Sequence, residues 1–359
     1  MHRSHGMWRA VVAALGLSML AVGSLAGSVQ AVQPLVLTFD ASPGSCVSGH
    51  ANHGATIRLY DPADSLVDTK VASLAMHHRF GVCFSAGTLD TGWRLEATDG
   101  SSPTVKFTIP ALSVRVDRVS DVVKGSAPKD SHVTIRAYDC SQTTGTKECP
   151  HKATRTVSSD HHGHYRKDMT SAFDLRGYDV AEATWTSSHD HTWSVYQTVP
   201  YMLVYADDLY VTGVLLPGQH AKFHLRSHPG GSSLSTRSRT GTPPTGKYQL
   251  AFGSDITTGR EVSADFATDA RMTVPNTGLT FPIEGSDQKI RGHCLPNRKA
   301  AISWYGVTGR AFRIADSQGR VYVNLSSAES PGFRLNHTDG VYIYCEDSRG
   351  DILQVTATP

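Results

Sequence analysis

Residues 160–169, DHHGHYRKDM, place Asp160, His161, His162 and His164 within five positions, and His189-Asp190-His191 follows in the same stretch of chain. Side chains two apart on a strand share a face. His162 with His164, and His189 with His191, therefore form two pairs of imidazoles. Brought together they would offer four nitrogen ligands to Zn²⁺, Cu²⁺ or Ni²⁺. Against this stands a general habit of composition: the chain has 18 histidines, with His50, His53, His77, His78, His220, His224 and His228 scattered elsewhere. Arg349-Gly350-Asp351 is a second candidate. It lies between the last two apolar runs, where a hairpin tip would expose it to an integrin-type partner, although such a tripeptide is more often only a turn.

Catalytic signatures are missing. There is no Gly-x-Ser-x-Gly elbow, His-Glu-x-x-His, phosphate-cradling glycine loop or well-placed Ser-x-x-Lys. Paired glycosidase carboxylates leave no readable spacing, so a secreted hydrolase with a site between domains stays as an alternative. The formal net charge of +2 gives no broad basic field for nucleic acid.

The elements that must carry these residues are strands. Short apolar runs alternate with polar residues, and turn residues punctuate them, which predicts an all-β chain. Residues 1–31 read as a signal peptide: a basic start, the apolar run 10–27, then Val29-Gln30-Ala31 with small residues where a peptidase reads. No later run is long and apolar enough to predict a membrane span after that cut.

The rest of the chain repeats itself. Val47-Ser48-Gly49, Val123-Lys124-Gly125, Val211-Thr212-Gly213 and Ile290-Arg291-Gly292 are one pattern, each with an apolar run before it and an alternating run such as ATIRLYD or HVTIRAYD after it. A second glycine, Gly92, Gly177, Gly259 or Gly340, opens a further strand in every copy. The third and fifth residues after it would face inward, and Glu182 breaks that pattern unless the register slips there by one. DHHGHYRKDM aligns with PPTGKYQLAF at 243–252 and DSQGRVYVNL at 316–325. The turn exists without histidine, so its first task is structural.

Gly54-Ala55-Thr56-Ile57 with Tyr60-Asp61, Asp160 with Gly163 and Tyr165, and Asp316 with Gly319 resemble the bacterial immunoglobulin-like domains found in tandem on surface and secreted proteins. The resemblance covers nearly all of 35–359. It implies two packed antiparallel sheets per copy, serving as spacers, adhesion modules or accessory domains, with no shared catalytic residue. The first copy departs by lacking the turn glycine, the second by its insertion around Cys140 to Cys149, and the third by its lack of cysteine. The expectation is tandem immunoglobulin-like antiparallel β-sandwiches after a signal peptide, at 32–110, 111–200, 201–275 and 276–359.

Six cysteines in an exported chain predict disulfides. Sequence alone allows fifteen pairings, and the division into repeats assigns Cys46 with Cys83, Cys140 with Cys149 and Cys294 with Cys345. The functional expectation is a non-catalytic interaction, adhesion or spacer protein without a cofactor. It would be periplasmic, surface-associated or secreted, with a surface protein or polysaccharide as partner and no nucleic acid. Metal binding through the second repeat is the other alternative.

Overall fold

The structure is a computed structural model, and it describes residues 38–41, 44–51, 54–72, 79–85, 89–98, 103–140, 149–243, 245–275, 289–304, 309–324 and 341–357. The signal-peptide segment 1–31 lies outside the described residues, as do His53, His77 and His78. Among the described residues every regular element is a strand.

The first repeat holds β1 (Thr38–Ala41), β2 (Cys46–His50), β3 (Ala55–Tyr60), β4 (Leu66–Ala72), β5 (Arg79–Cys83), β6 (Arg94–Thr98) and β7 (Val105–Thr108). The second holds β8 (Arg115–Asp117), β9 (Val122–Ser126), β10 (His132–Tyr138), β11 (His151–Ser158), β12 (His164–Asp168), β13 (Val180–Thr186) and β14 (Thr192–Thr198). The third holds β15 (Tyr201–Tyr205), β16 (Tyr210–Val214), β17 (His220–Arg226), β18 (Ser233–Thr240), β19 (Lys247–Ala251), β20 (Glu261–Ala264) and β21 (Arg271–Thr273). The fourth holds β22 (Lys289–His293), β23 (Lys299–Trp304), β24 (Gly309–Ile314), β25 (Arg320–Asn324), β26 (Val341–Glu346) and β27 (Ile352–Ala357).

Alternation builds these strands. In β3, Ala55, Ile57 and Leu59 are fully buried, and in β17 Ala221, Phe223 and Leu225 are. The residues between them stay partly or wholly exposed. Burying each large apolar side chain contributes about 1.5–3 kcal/mol, which fixes the register because a slip of one would expose the set.

Each repeat uses one strand plan. In the first three, the first, second and fifth strands form one sheet and the third, fourth, sixth and seventh another, as in β8-β9-β12 beside β11-β10-β13-β14, and the described strands of the fourth divide likewise into β22-β25 and β24-β23-β26-β27. The sheets pack face to face: Phe39 on β1 stacks on Phe107 of β7 with ring centroids 6.1 Å apart. Pairing within every repeat is antiparallel.

The repeats themselves give no hint that the sheets continue across them. β14, the last strand of the second repeat, runs parallel to β1, with Asp40 opposite Thr192 and Ala41 opposite Trp193. β27 does the same with β15, pairing Leu203 with Ile352 and Tyr205 with Gln354. The outcome is two seven-stranded sheets, β11-β10-β13-β14-β1-β2-β5 and β19-β16-β15-β27-β26-β23-β24. The second repeat thus pairs with an open edge of the first, and the fourth with one of the third, so edges that would otherwise template aggregation are closed.

The repeating glycine also has its reason. Gly125 lies opposite Tyr165, and Gly213 lies opposite Tyr248. The Tyr165 hydroxyl donates to Ser113 O at 2.7 Å and the Tyr248 hydroxyl to Tyr201 O at 3.3 Å. A Cβ at Gly125 would sit 2.7 Å from the Tyr165 oxygen and inside contact distance of the Ser113 carbonyl. Only glycine lets the phenol cross to the first strand.

Disulfides join Cys46 to Cys83, Cys140 to Cys149 and Cys294 to Cys345. The first links opposed residues of β2 and β5. The third ties the β22–β25 side of its repeat to β26 on the facing sheet.

Candidate functional site

The histidine-rich turn is built by Asp160. Its Oδ1 accepts from the amides of His162 at 2.9 Å and His164 at 2.8 Å, and its carbonyl accepts from Gly163 N at 2.8 Å. Asp316 makes the same contacts with Gln318 and Arg320, both at 2.9 Å. These bonds hold Asp160 below the ordinary carboxylate range, the His164 amide contributing most. The His162 and His164 rings lie 6.4 Å apart, with the His161 ring 3.8 Å from His162 and tilted by 46° to it.

The second pair divides between two environments. His189 is exposed on the β13–β14 turn, whereas His191 is 4% exposed. The His191 ring sits 5.5 Å from Phe39 and 5.2 Å from Phe107, with Nδ1 buried and unpartnered. Burial, and then the nearby His189, push its pKa down, so it stays neutral as part of the joint between the first two repeats. Among the described residues no three or more His, Cys, Asp or Glu side chains come together in a group able to hold a metal ion. The structure therefore does not bring His162, His164, His189 and His191 to one centre, because one pair sits on the turn that crosses from β11 to β12 between the sheets and the other on the β13–β14 hairpin.

Arg349-Gly350-Asp351 does lie on the hairpin between β26 and β27, but its expected exposure is corrected. Asp351 is fully buried. Its Oδ1 and Oδ2 accept from Arg118 Nη1 at 3.0 Å and Nη2 at 2.9 Å, and Oδ1 also accepts from Met202 N at 2.8 Å. Arg118 further donates to Pro200 O at 3.0 Å and to Asp269 Oδ1 at 3.1 Å, and its guanidinium lies 5.3 Å from the Phe266 ring centroid. Arg349 donates to Asp269 O at 3.2 Å and accepts at its carbonyl from Gly177 N at 2.6 Å. Three repeats thus meet at one guanidinium. The tripeptide is held within this joint because Asp351 is the carboxylate that makes burying Arg118 tolerable.

Charge at this node is asymmetric. Burial works against the Arg118 cation, but Asp351 and Asp269 outweigh it and raise its pKa. Burial pushes both Asp351 and Asp347 up. The two-pronged guanidinium contact opposes that rise at Asp351, while Asp347 is raised to about 6 by burial and then by the Asp351 charge.

Glu182 identifies a second region. The register of β13 does slip by one: Ala181 and Ala183 are fully buried in the core. The residue with the glycine-like backbone is Tyr178, at φ 74°, and its amide donates to Val199 O as the Gly92 amide does to Ile109 O. Gly177 is displaced to the joint, where a Cβ would lie 2.8 Å from Gly350 O and 2.8 Å from Tyr201 Cβ. The slip turns Glu182 to the outer face of the seven-stranded sheet. There its Oε2 accepts from Tyr138 Oη at 2.5 Å and Arg136 Nη1 at 3.4 Å, and its Oε1 from Thr184 Oγ1 at 3.2 Å. Burial raises the Glu182 pKa, but Tyr138 and Arg136 outweigh it and hold it below the ordinary value. Tyr138 in turn is pushed up to about 12, by burial first and then by Glu182. Around this carboxylate lies a shallow groove of ≈ 430 Å³.

Arg118 and Asp269 carry no sequence signal, since neither belongs to the repeated pattern. Glu182 did carry one, as the polar residue at an expected core position. Of the tryptophans, Trp193 is buried and Trp93 and Trp185 are half-buried, while the Trp304 side chain lies outside the described residues.

No protein-family model matches the sequence, and no curated protein matches it. Among solved structures, the chain is similar to a tetra-tandem repeat in the extending region of a large adhesion protein, at 16% identity over 89% of this chain and 97% of that one, with a TM-score of 0.18. It is similar to the BSP domain of a biofilm-associated protein at 10% identity over 90% and 96%, with a TM-score of 0.18. It is also similar to E. coli alpha-2-macroglobulin at 8% identity over 90% of this chain but 29% of that one, again at 0.18. At such TM-scores none of the three bears on what this chain does.

Proposed function

We propose that this is an exported, non-catalytic protein of tandem immunoglobulin-like domains, at 32–110, 111–200, 201–275 and 276–359 after a signal peptide at 1–31, acting in cell-envelope or extracellular interaction or as a spacer. The carrying observation is the Arg118 node between repeats. Carboxylates do converge between repeats, as an inter-domain hydrolase would require, but Asp351 is fully buried against Arg118 and Asp269 is only 16% exposed at its side chain. Both carboxylates are already engaged by Arg118, an arrangement that suits a rigid joint. Parallel pairing of β14 with β1 and of β27 with β15 supports the same reading, since it removes hinges between neighbouring repeats. Three disulfides support an oxidising compartment, whether periplasm, cell surface or medium. A surface protein or polysaccharide is the expected partner.

The test is retention of envelope material and host polysaccharide by immobilised, oxidised Val32–Pro359. Saturable retention identifies an interaction module, and a folded chain that retains nothing identifies a spacer. Hydrolysis of the polysaccharide during the incubation would refute the non-catalytic reading.

A further inference from the structure

The groove beside Glu182 has an unusual lining for a sheet face. Thr134 and Arg136 come from β10, Glu182 and Thr184 from β13, Ser194 and Tyr196 from β14, and across the joint Ser48 comes from β2 of the first repeat. The groove therefore exists only because β14 pairs with β1 and makes the face continuous. Its hydroxyls are already arranged: Ser194 Oγ lies 2.8 Å from Thr184 Oγ1, which donates to Glu182, which also accepts from Tyr138. A chain of this kind polarises along its length and holds its members in place.

We propose that this groove binds a neutral, polyhydroxylated ligand, a saccharide chain lying across the joint of the first two repeats. The proposal rests on the interaction reading above and names its partner class. Four features select that chemistry. Hydroxyl side chains donate and accept at once, as sugar hydroxyls do. The one carboxylate and one guanidinium in the lining, Glu182 and Arg136, are an ion pair at 3.4 Å, so the groove has no net charge to hold an anion or cation. β10, β13, β14, β1 and β2 are all interior strands of the sheet, with their ladders paired on both sides, so an extended peptide finds no backbone edge to join. Tyr196 stands at the rim 54% exposed, an aromatic face for the apolar side of a sugar ring. The volume of ≈ 430 Å³ falls within the range of small-ligand sites.

The test uses the full oxidised mature chain and calorimetric titration with soluble neutral oligosaccharides of glucose, galactose, mannose and N-acetylglucosamine, with heparin as the charged probe. At least one neutral oligosaccharide is expected to bind. Tyr196→Ala is expected to weaken that binding by about tenfold, the loss of one aromatic contact, and Tyr196→Phe to restore most of it. Tyr210→Ala, which removes a half-exposed aromatic of the third repeat, is the control that should leave binding unchanged. Circular dichroism establishes that each variant is folded. No binding by any neutral probe, binding by heparin alone, or equal affinity in Tyr196→Ala would overturn the proposal. If Tyr196→Ala still retains envelope material as the parent does, the groove assignment falls while the interaction reading stands; if the parent retains nothing, both fall.

Discussion

Replacing Arg118 by alanine removes four hydrogen bonds that join three repeats: two to Asp351, one to Asp269 and one to the Pro200 carbonyl. It leaves Asp351 fully buried with Met202 N as its remaining donor from across the joint. Removing one partner of a buried pair costs about 3–5 kcal/mol, because the other charge stays desolvated. Arg118→Met combined with Asp351→Ala removes both charges and fills part of the space. The double variant should recover about 2–3 kcal/mol of that loss, giving a large coupling in a double-mutant cycle. Global unfolding does not single out this joint. Amide exchange at Gly177 and Met202 is better, since Gly177 N donates to Arg349 O and Met202 N to Asp351. In Arg118→Ala both amides should exchange faster by about two to three orders of magnitude, with amides of β3 and β10 unaffected. Acceleration of less than about fivefold, or a double variant no better than the single, would refute the view that Arg118 locks the joint.

The same joint should reject a side chain at Gly350: a Cβ there would overlap the Gly177 carbonyl at a φ of 80°, so Gly350→Ala is expected to accelerate exchange at Gly177 while leaving β26 and β27 folded, as amide exchange would report. Asp179 is pushed up to about 7 by burial, from an ordinary 3.8. Its favourable share is complete below pH 3.8 and is lost as pH rises through about 7, so Asp179→Asn should melt higher than the parent at pH 8, by a difference worth about 1–2 kcal/mol, and show no gain at pH 4. Cys46–Cys83 closes a sequence separation of 37 and Cys140–Cys149 one of 9. Paired Cys→Ala replacement should therefore cost about 4 kcal/mol for the first and somewhat under 3 for the second in denaturant melts. Zinc titration of the parent and of His162→Ala with His164→Ala should give the same weak heats by calorimetry, since the turn they occupy is held by Asp160 rather than by metal. A loss of saturable zinc binding in the variant would reinstate the metal reading.

Much of the local plan was legible. The alternation in ATIRLYD and HVTIRAYD specifies β3 and β10, because a strand exposes alternate residues to opposite sides and the core takes one set. The Asp-x-x-Gly turn was legible from its recurrence, since its bonds are made within five residues. Glu182 was legible as an anomaly but not as a site, because the register slip that moves it outward originates in Tyr178 adopting the conformation of Gly92. Arg349-Gly350-Asp351 misled, since the hairpin was real but its burial depends on Arg118, 233 residues away.

By itself the sequence determined what short-range physics decides: strand periodicity, turn placement, the four-fold repetition and the cysteines available within each repeat. Each of these rests on contacts between residues near in the chain or on a pattern that sums over many of them. Tertiary structure decided how the repeats join. Parallel pairing of β14 with β1, the burial of Arg118 with Asp351 and Asp269, and the groove that needs Ser48 and Ser194 on one face are contacts between residues far apart in sequence. Any one of them is a single pair or trio with no period, so it leaves no pattern to read until folding brings the partners together.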